Sequence, residues 1–150
     1  MLSRLIEFRP PRIAQLLIAV AVLWQWLFGT DGEGMSEPYL GVALGLVGFA
    51  IMLWGWALFK RFDTAICPTA TNRHLVTMGI YRFSRNPMYL GILLMMGSLA
   101  LMVGSLPFYL AALVYFLIIN GVFCPYEERK LEACFGDRYL DYKLRVRRWL

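Results

Sequence analysis

Residues 13–28, 39–59, 88–105 and 107–124 run without a single charged side chain. Nothing else in the chain constrains its fold as much. A helix that crosses a bilayer needs roughly 20 apolar residues, and four such runs in 150 residues leave little for a soluble core. Hydrophobic residues make up 59% of the chain and its mean hydropathy is +0.57, above the composition of ordinary soluble domains. The pattern predicts an all-α, polytopic membrane protein. It would be a single domain over residues 1–150, with four transmembrane helices and a helical tail over residues 125–150. The last two runs nearly abut, so they should form a helical hairpin. Strands alternating with helices are missing, which excludes a Rossmann-type cofactor domain. The "DGEG" at residues 31–34 follows no strand and is set aside as a nucleotide loop.

Charge sets the expected orientation. The first twelve residues carry Arg4, Arg9 and Arg12 against Glu7, whereas the loop "GTDGEGMSEP" holds three acids and no base. The next polar stretch carries Lys60, Arg61, Arg73, Arg82 and Arg85 against Asp63, and the tail after Cys124 has seven bases and five acids. By the positive-inside rule both termini, the 60–87 loop and the tail face the cytoplasm, in the inner membrane if the cell is bacterial. The first run reads as a retained anchor, because no small-residue cleavage site follows it. The net charge of +5 is then topology and attraction to anionic lipid, with no nucleic-acid partner required. Cys67, Cys124 and Cys134 show no paired spacing, and with His74 as the sole histidine a dedicated metal site is not expected.

Two further patterns bear on packing. Gly41, Gly45, Gly48 and Gly55 in the second run suit close helix approach rather than a ligand. In the tail, Leu131, Phe135, Tyr139, Tyr142, Val146 and Trp149 recur at helical spacing, with Lys and Arg opposite. Gly136 should end one helical piece and Asp137 cap the next. Such a segment is expected to lie on the cytoplasmic membrane surface or to fold back over the loop.

The polar chemistry gathers at two places. Arg85, Asn86 and Pro87 stand at the mouth of the third run. Asn at the N-cap and Pro at the first helical position make a good helix start and need mean nothing more. A helix N-terminus also presents free N–H groups and a partial positive charge, which bind anions. Arg85 adds charge there, and Tyr89 adds a phenol one turn in. The second place is the pair Glu127 and Glu128, whose plain reading is helix-dipole compensation. The hairpin returns both places to one face of the membrane. An anion site and a carboxylate across one cleft would suit a zwitterionic ligand.

"HLVTMGIYRFSRNPMYLG" at residues 74–91 and "EERKLEACFGDRYLDYKLRVRRW" at residues 127–149 resemble the isoprenylcysteine carboxyl methyltransferase family, which is related to the membrane phospholipid methyltransferases. The resemblance covers about residues 60–149 and rests on four ordered motifs. These are Leu-Val-Thr-x-Gly-x-Tyr, Arg-(Asn/His)-Pro-x-Tyr-x-Gly, Glu-Glu-x-x-Leu and Phe-Gly-x-x-Tyr-x-x-Tyr. It implies S-adenosylmethionine as cofactor. Carried across by motif, the contacts are Arg73, His74, Leu75, Val76, Tyr81, Asn86, Pro87, Met88, Tyr89 and Glu127, joined by Arg85 on the anion-site reading. Methyl transfer from a sulfonium leaves the reactivity with the cofactor, which accounts for a chain that lacks a Ser/His/Asp, Cys/His or metal constellation. A carboxylate acceptor needs no general base. An amine would, and Glu128 and Tyr89 are the candidates.

Two departures limit what transfers. The eukaryotic prenylcysteine enzymes have His at the position of Asn86, and an Arg at the position of Phe123 that is implicated in handling substrate. They also have more spans. The expected acceptor is therefore lipophilic or small: a prenylated thiol's carboxylate, a phospholipid amine or a small thiol, entering laterally from membrane lipid. A non-catalytic scaffold or sensor that keeps the fold is the reading from another class.

Overall fold

The computed structural model describes residues 10–29, 36–62 and 74–150. Every described regular element is helical. Helix α1 covers Pro10–Phe28 and α2 covers Pro38–Arg61; a single 3₁₀ turn, Gly79–Arg82, leads into α3, Pro87–Val103. Helix α4, Leu106–Ile118, continues through a π-helical turn at Ile119–Phe123 into α5, Cys124–Phe135, and α6 is Asp137–Arg145. Of the residues discussed above, 1–9, 30–35 and 63–73, which include Cys67 and Arg73, lie outside the described set.

Prolines and glycines punctuate these elements as local sterics require. Proline stands at the first or second position of α2, α3 and α4, where the missing N–H costs no hydrogen bond, while Pro125 lies inside a continuous helix just after its π turn. Helix α3 stops at Gly104, whose φ of 70° is left-handed. Only Gly104 and Ser105 separate α3 from α4, so the expected hairpin forms. Lys60 and Arg61 close α2, where cations complement the helix dipole.

Three helices are long and apolar enough to cross a membrane: Pro10–Phe28, Pro38–Arg61 and the continuous rod Leu106–Phe135; α3 is a shorter apolar helix of 17 residues. At about 1.5 Å per residue the rod reaches about 45 Å, longer than a hydrocarbon core of about 30 Å. Its polar end, from Glu127 on, thus extends past its apolar part. Leu46, Trp26, Leu113 and Leu117 are exposed on the outer faces, an inversion that suits lipid rather than water.

Helix α2 lies antiparallel on α3, and the glycines make that approach possible. A Cβ added at Gly48 would meet the Gly91 carbonyl oxygen at 2.8 Å, and one at Gly91 would meet that of Gly48 at 2.6 Å. Helix α1 packs on the other side, against α4. Ile13, Ala14 and Ala21 there join Met96, Ala100, Phe108, Tyr115, Ile119 and Phe123 in one buried core.

The tail departs from its expected geometry at one point. Gly136, with φ 52° and ψ −129°, breaks the line between α5 and α6, so the six periodic residues do not form one continuous face. Asp137 is the first residue of α6 and not its cap, a position that Gly136 holds without a side-chain bond. The break lets α6 fold back. Tyr139 and Tyr142 are buried, and Tyr142 Oη donates to the Tyr81 carbonyl oxygen at 2.7 Å. Of the two placements expected for the tail, the fold back over the loop is the one observed.

Candidate active site

Six stretches of the chain converge on one cavity of about 740 Å³. Its walls are the 74–81 segment, the start of α3, the first two turns of α5 and the buried tyrosines of α6, with α1 and the end of α2 on the remaining side. His74, Leu75, Val76, Tyr81, Arg85, Asn86, Pro87, Met88, Tyr89 and Glu127 all line it. Apart from Arg73, which is outside the described residues, every sequence-expected cofactor contact is therefore on one surface. The general-base candidates Tyr89 and Glu128 line it as well. His74 is exposed at the rim, while Val76, Tyr81 and Asn86 are buried.

The start of α3 is more than a capped helix. Asn86 is the N-cap residue, yet its side chain makes no capping bond. Instead its Nδ2 donates to the Arg148 carbonyl oxygen at 3.2 Å, and Ser84 Oγ donates to the same oxygen at 3.2 Å. The Arg85 backbone N–H donates to the Arg147 carbonyl oxygen at 3.0 Å. The early N–H groups of α3 have no intrahelical acceptor, and they border the cavity. Arg85 Nε is buried with no hydrogen-bond partner, a donor beside that border.

The two glutamates have different surroundings. Glu127 accepts from Tyr89 Oη at 2.5 Å, which ties the first turn of α3 to α5. Glu128 is held by two guanidinium groups: Arg148 Nε and Nη2 donate to its two oxygens at 2.8 and 2.9 Å, and Arg85 Nη1 stands 3.2 Å from Oε1. The hydrogen bond to Glu128 raises Arg148 above the ordinary arginine pKa. Burial raises the Tyr142 phenol, so it stays a neutral donor to Tyr81.

Sequence reasoning did not find Arg148, Asn120 or the contribution of α2. Arg148 was one of several tail bases, none marked out by spacing. Asn120 did carry a signal, as a lone amide inside an apolar run, since polar groups at such depth are paired or functional. Met52, Leu53, Trp56 and Phe59 from α2 line the cavity with nothing but apolar character to distinguish them. Phe123 is fully buried in the hairpin core and is not on the cavity wall.

Residues 36–138 match the phospholipid methyltransferase family. The chain belongs to that family. The motif resemblance at residues 74–91 and 127–149 agrees with this membership of the membrane methyltransferases. Among curated proteins, the chain is 32% identical to methanethiol S-methyltransferase 1 of Bradyrhizobium diazoefficiens over 148 residues, covering 87% of this chain and 49% of that one. It thus spans about half the length of that relative. An uncharacterised protein of Haemophilus influenzae is 41% identical over 63 residues, which is all of that protein and 42% of this chain. No solved structure matches the phospholipid methyltransferase-family chain described here.

Proposed function

We propose that the chain is an S-adenosylmethionine-dependent methyltransferase whose cofactor occupies the cavity at the start of α3. The observation that carries this reading is the junction of Arg85, Asn86 and the α3 N-terminus with Glu127 across one cavity. The fit is chemical. The cofactor is zwitterionic at one end, and here a helix N-terminus with the unpartnered Arg85 Nε stands near a carboxylate. Tyr81, Phe59 and Val76 supply aromatic and apolar lining for its other end. When bound, the cofactor supplies an activated methyl group. The chain's residues bind, align and exclude water.

In the same reading the chain crosses the membrane four times, with both termini and the cavity on the cytoplasmic side. The acceptor is lipophilic or small and enters laterally: a prenylated thiol's carboxylate, a phospholipid amine or a small thiol. Similarity to a methanethiol S-methyltransferase supports the thiol class to the same degree that the family supports the lipid class. Calorimetric titration of detergent-solubilised protein with S-adenosylmethionine tests the core of the proposal, followed by methyl transfer to a panel holding one acceptor of each class. Saturable 1:1 binding with transfer to at least one acceptor is expected. A folded protein that binds no cofactor is the scaffold of the other reading.

A further inference from the structure

Residues 147–149 run back beneath the α3 N-terminus and touch three elements at once. The carbonyl oxygens of Arg147 and Arg148 take the Arg85 N–H, Ser84 Oγ and Asn86 Nδ2. The Arg148 guanidinium spans the α4–α5 rod. Its Nε and Nη2 hold both oxygens of Glu128, while Nη1 donates to Asn120 Oδ1 at 3.1 Å and more weakly to the Asn120 carbonyl oxygen at 3.4 Å. Trp149 Nε1 donates to the same Asn120 Oδ1 at 3.1 Å, and its ring lies 5.4 Å from that of Phe116. Asn120 sits in the π turn Ile119–Phe123, where the bulged ladder alters which carbonyls have intrahelical partners.

The consequence concerns Arg85. Glu128 is shared by two guanidinium groups, but unequally: Arg148 reaches both oxygens, and Arg85 makes a single contact of 3.2 Å to one of them. Within this cluster two positive charges against one negative leave an excess of one positive charge, with Glu127 standing elsewhere on the same cavity. Were Arg148 absent, Glu128 would have Arg85 as its partner from the wall, and the excess would vanish.

We propose that Arg148 is a positioning residue for the cofactor site. It takes the larger share of Glu128, and this leaves the Nε edge of Arg85, whose Nη1 is held by Glu128 and Tyr139 Oη, to meet the anionic end of a ligand in the cavity. The inference rests on the cofactor reading above. It assigns Arg148 no contact with the cofactor. Planarity matters to this role, since a lysine ammonium reaches one carboxylate oxygen but cannot also fork to the second and to Asn120.

The test is a cycle of three variants, Arg148→Lys, Glu128→Gln and the double variant, titrated with S-adenosylmethionine beside the wild type. Thermal midpoints are measured on the same detergent samples. Arg148→Lys should fold and bind about tenfold more weakly. Adding Glu128→Gln removes the charge that would capture Arg85, and should return affinity to within about threefold of wild type. Wild-type affinity in Arg148→Lys, or a double variant no better than Arg148→Lys, would overturn the positioning role. A merely structural strap predicts the second of these results, because the double variant loses still more bonds. A wild-type protein that binds no cofactor would overturn the proposed function and this inference together, which separates the two failures.

Discussion

Tyr89 Oη donates to Glu127 Oε1 across a sequence separation of 38 residues, and so fastens the first turn of α3 to the first turns of α5 at the cavity wall. The bond explains why a phenol stands one turn into a membrane helix, where an aliphatic residue would pack with less trouble. It also gives Glu127 a fixed direction. If that carboxylate meets the cofactor's positive end or a hydroxyl, its charge matters more than its partner. Glu127→Gln should weaken S-adenosylmethionine binding by roughly 10- to 100-fold, the equivalent of about 1.5–3 kcal/mol for a hydrogen bond to a charged group. Tyr89→Phe keeps the charge and loses only the tether, with an expected loss of about fivefold or about 1 kcal/mol. Calorimetry on both folded variants checks the order. Equal binding by wild type and Glu127→Gln would confine Glu127 to its structural tie with Tyr89.

The α2–α3 contact yields a stability prediction. Gly91 packs against the backbone of α2, where an added Cβ would lie 2.6 Å from the Gly48 carbonyl oxygen and 2.9 Å from the Met52 nitrogen. Neither atom belongs to a side chain that can move aside. Gly91→Ala should therefore destabilise by about 1–3 kcal/mol, the usual result of overpacking. Gly121 has open space where its Cβ would be, so Gly121→Ala should change stability by no more than about 0.5 kcal/mol. Thermal unfolding in detergent compares the two, and equal midpoints would contradict the close helix contact.

Orientation is tested by thiols on described, exposed positions. Ser36 precedes α2 and Cys134 lies near the end of α5, and both are exposed. With the other cysteines replaced, Ser36→Cys should react with an impermeant maleimide in intact cells. Cys134 should react only after the inner face is opened. The reverse pattern would place the cavity on the outer side.

Much of this architecture was legible because membrane helices advertise themselves. The uncharged runs located α1, α2 and α3 within a few residues and the start of α4 to within one, whereas the helix of the fourth run carries on past its apolar end to Phe135. Residues at the cavity were legible through motifs, which is how His74 and Glu127, distant in sequence, were placed together. What was hidden depends on tertiary return. A tail arginine chosen by Glu128 looks in sequence like its neighbours Arg145 and Arg147. The π turn at Ile119–Phe123 is likewise hidden, because Asn120 marks a polar position within it but no local residue pattern reports a change in the helical hydrogen-bond ladder. Gly136 is legible as a break, yet the sharp redirection it permits depends on Tyr142 finding the Tyr81 carbonyl 61 residues away.

Asn86 offers the most decisive substitution, because its side chain does not do what its position suggests. As an ordinary N-cap it would tolerate Asp, which caps about as well and suits the helix dipole. In the structure its amide instead donates to the Arg148 carbonyl, and a carboxylate at that place has no hydrogen to give. Asn86→Asp thus has two effects: it loses this bond, and it brings negative charge to the α3 N-terminus. Asn86→Ala has only the first. Both variants should fold with native helix content and lose similar stability, about 0.5–1.5 kcal/mol for one lost hydrogen bond, since Ser84 Oγ still donates to the Arg148 carbonyl. They should part company on binding. If an anionic end of the cofactor meets this helix start, Asn86→Asp repels it and binds at least tenfold more weakly than wild type, about 1.4 kcal/mol. Asn86→Ala should lose clearly less. Calorimetry and thermal midpoints on paired samples read both quantities, and equal losses of binding would mean that the site suffers from a loosened tail rather than from charge.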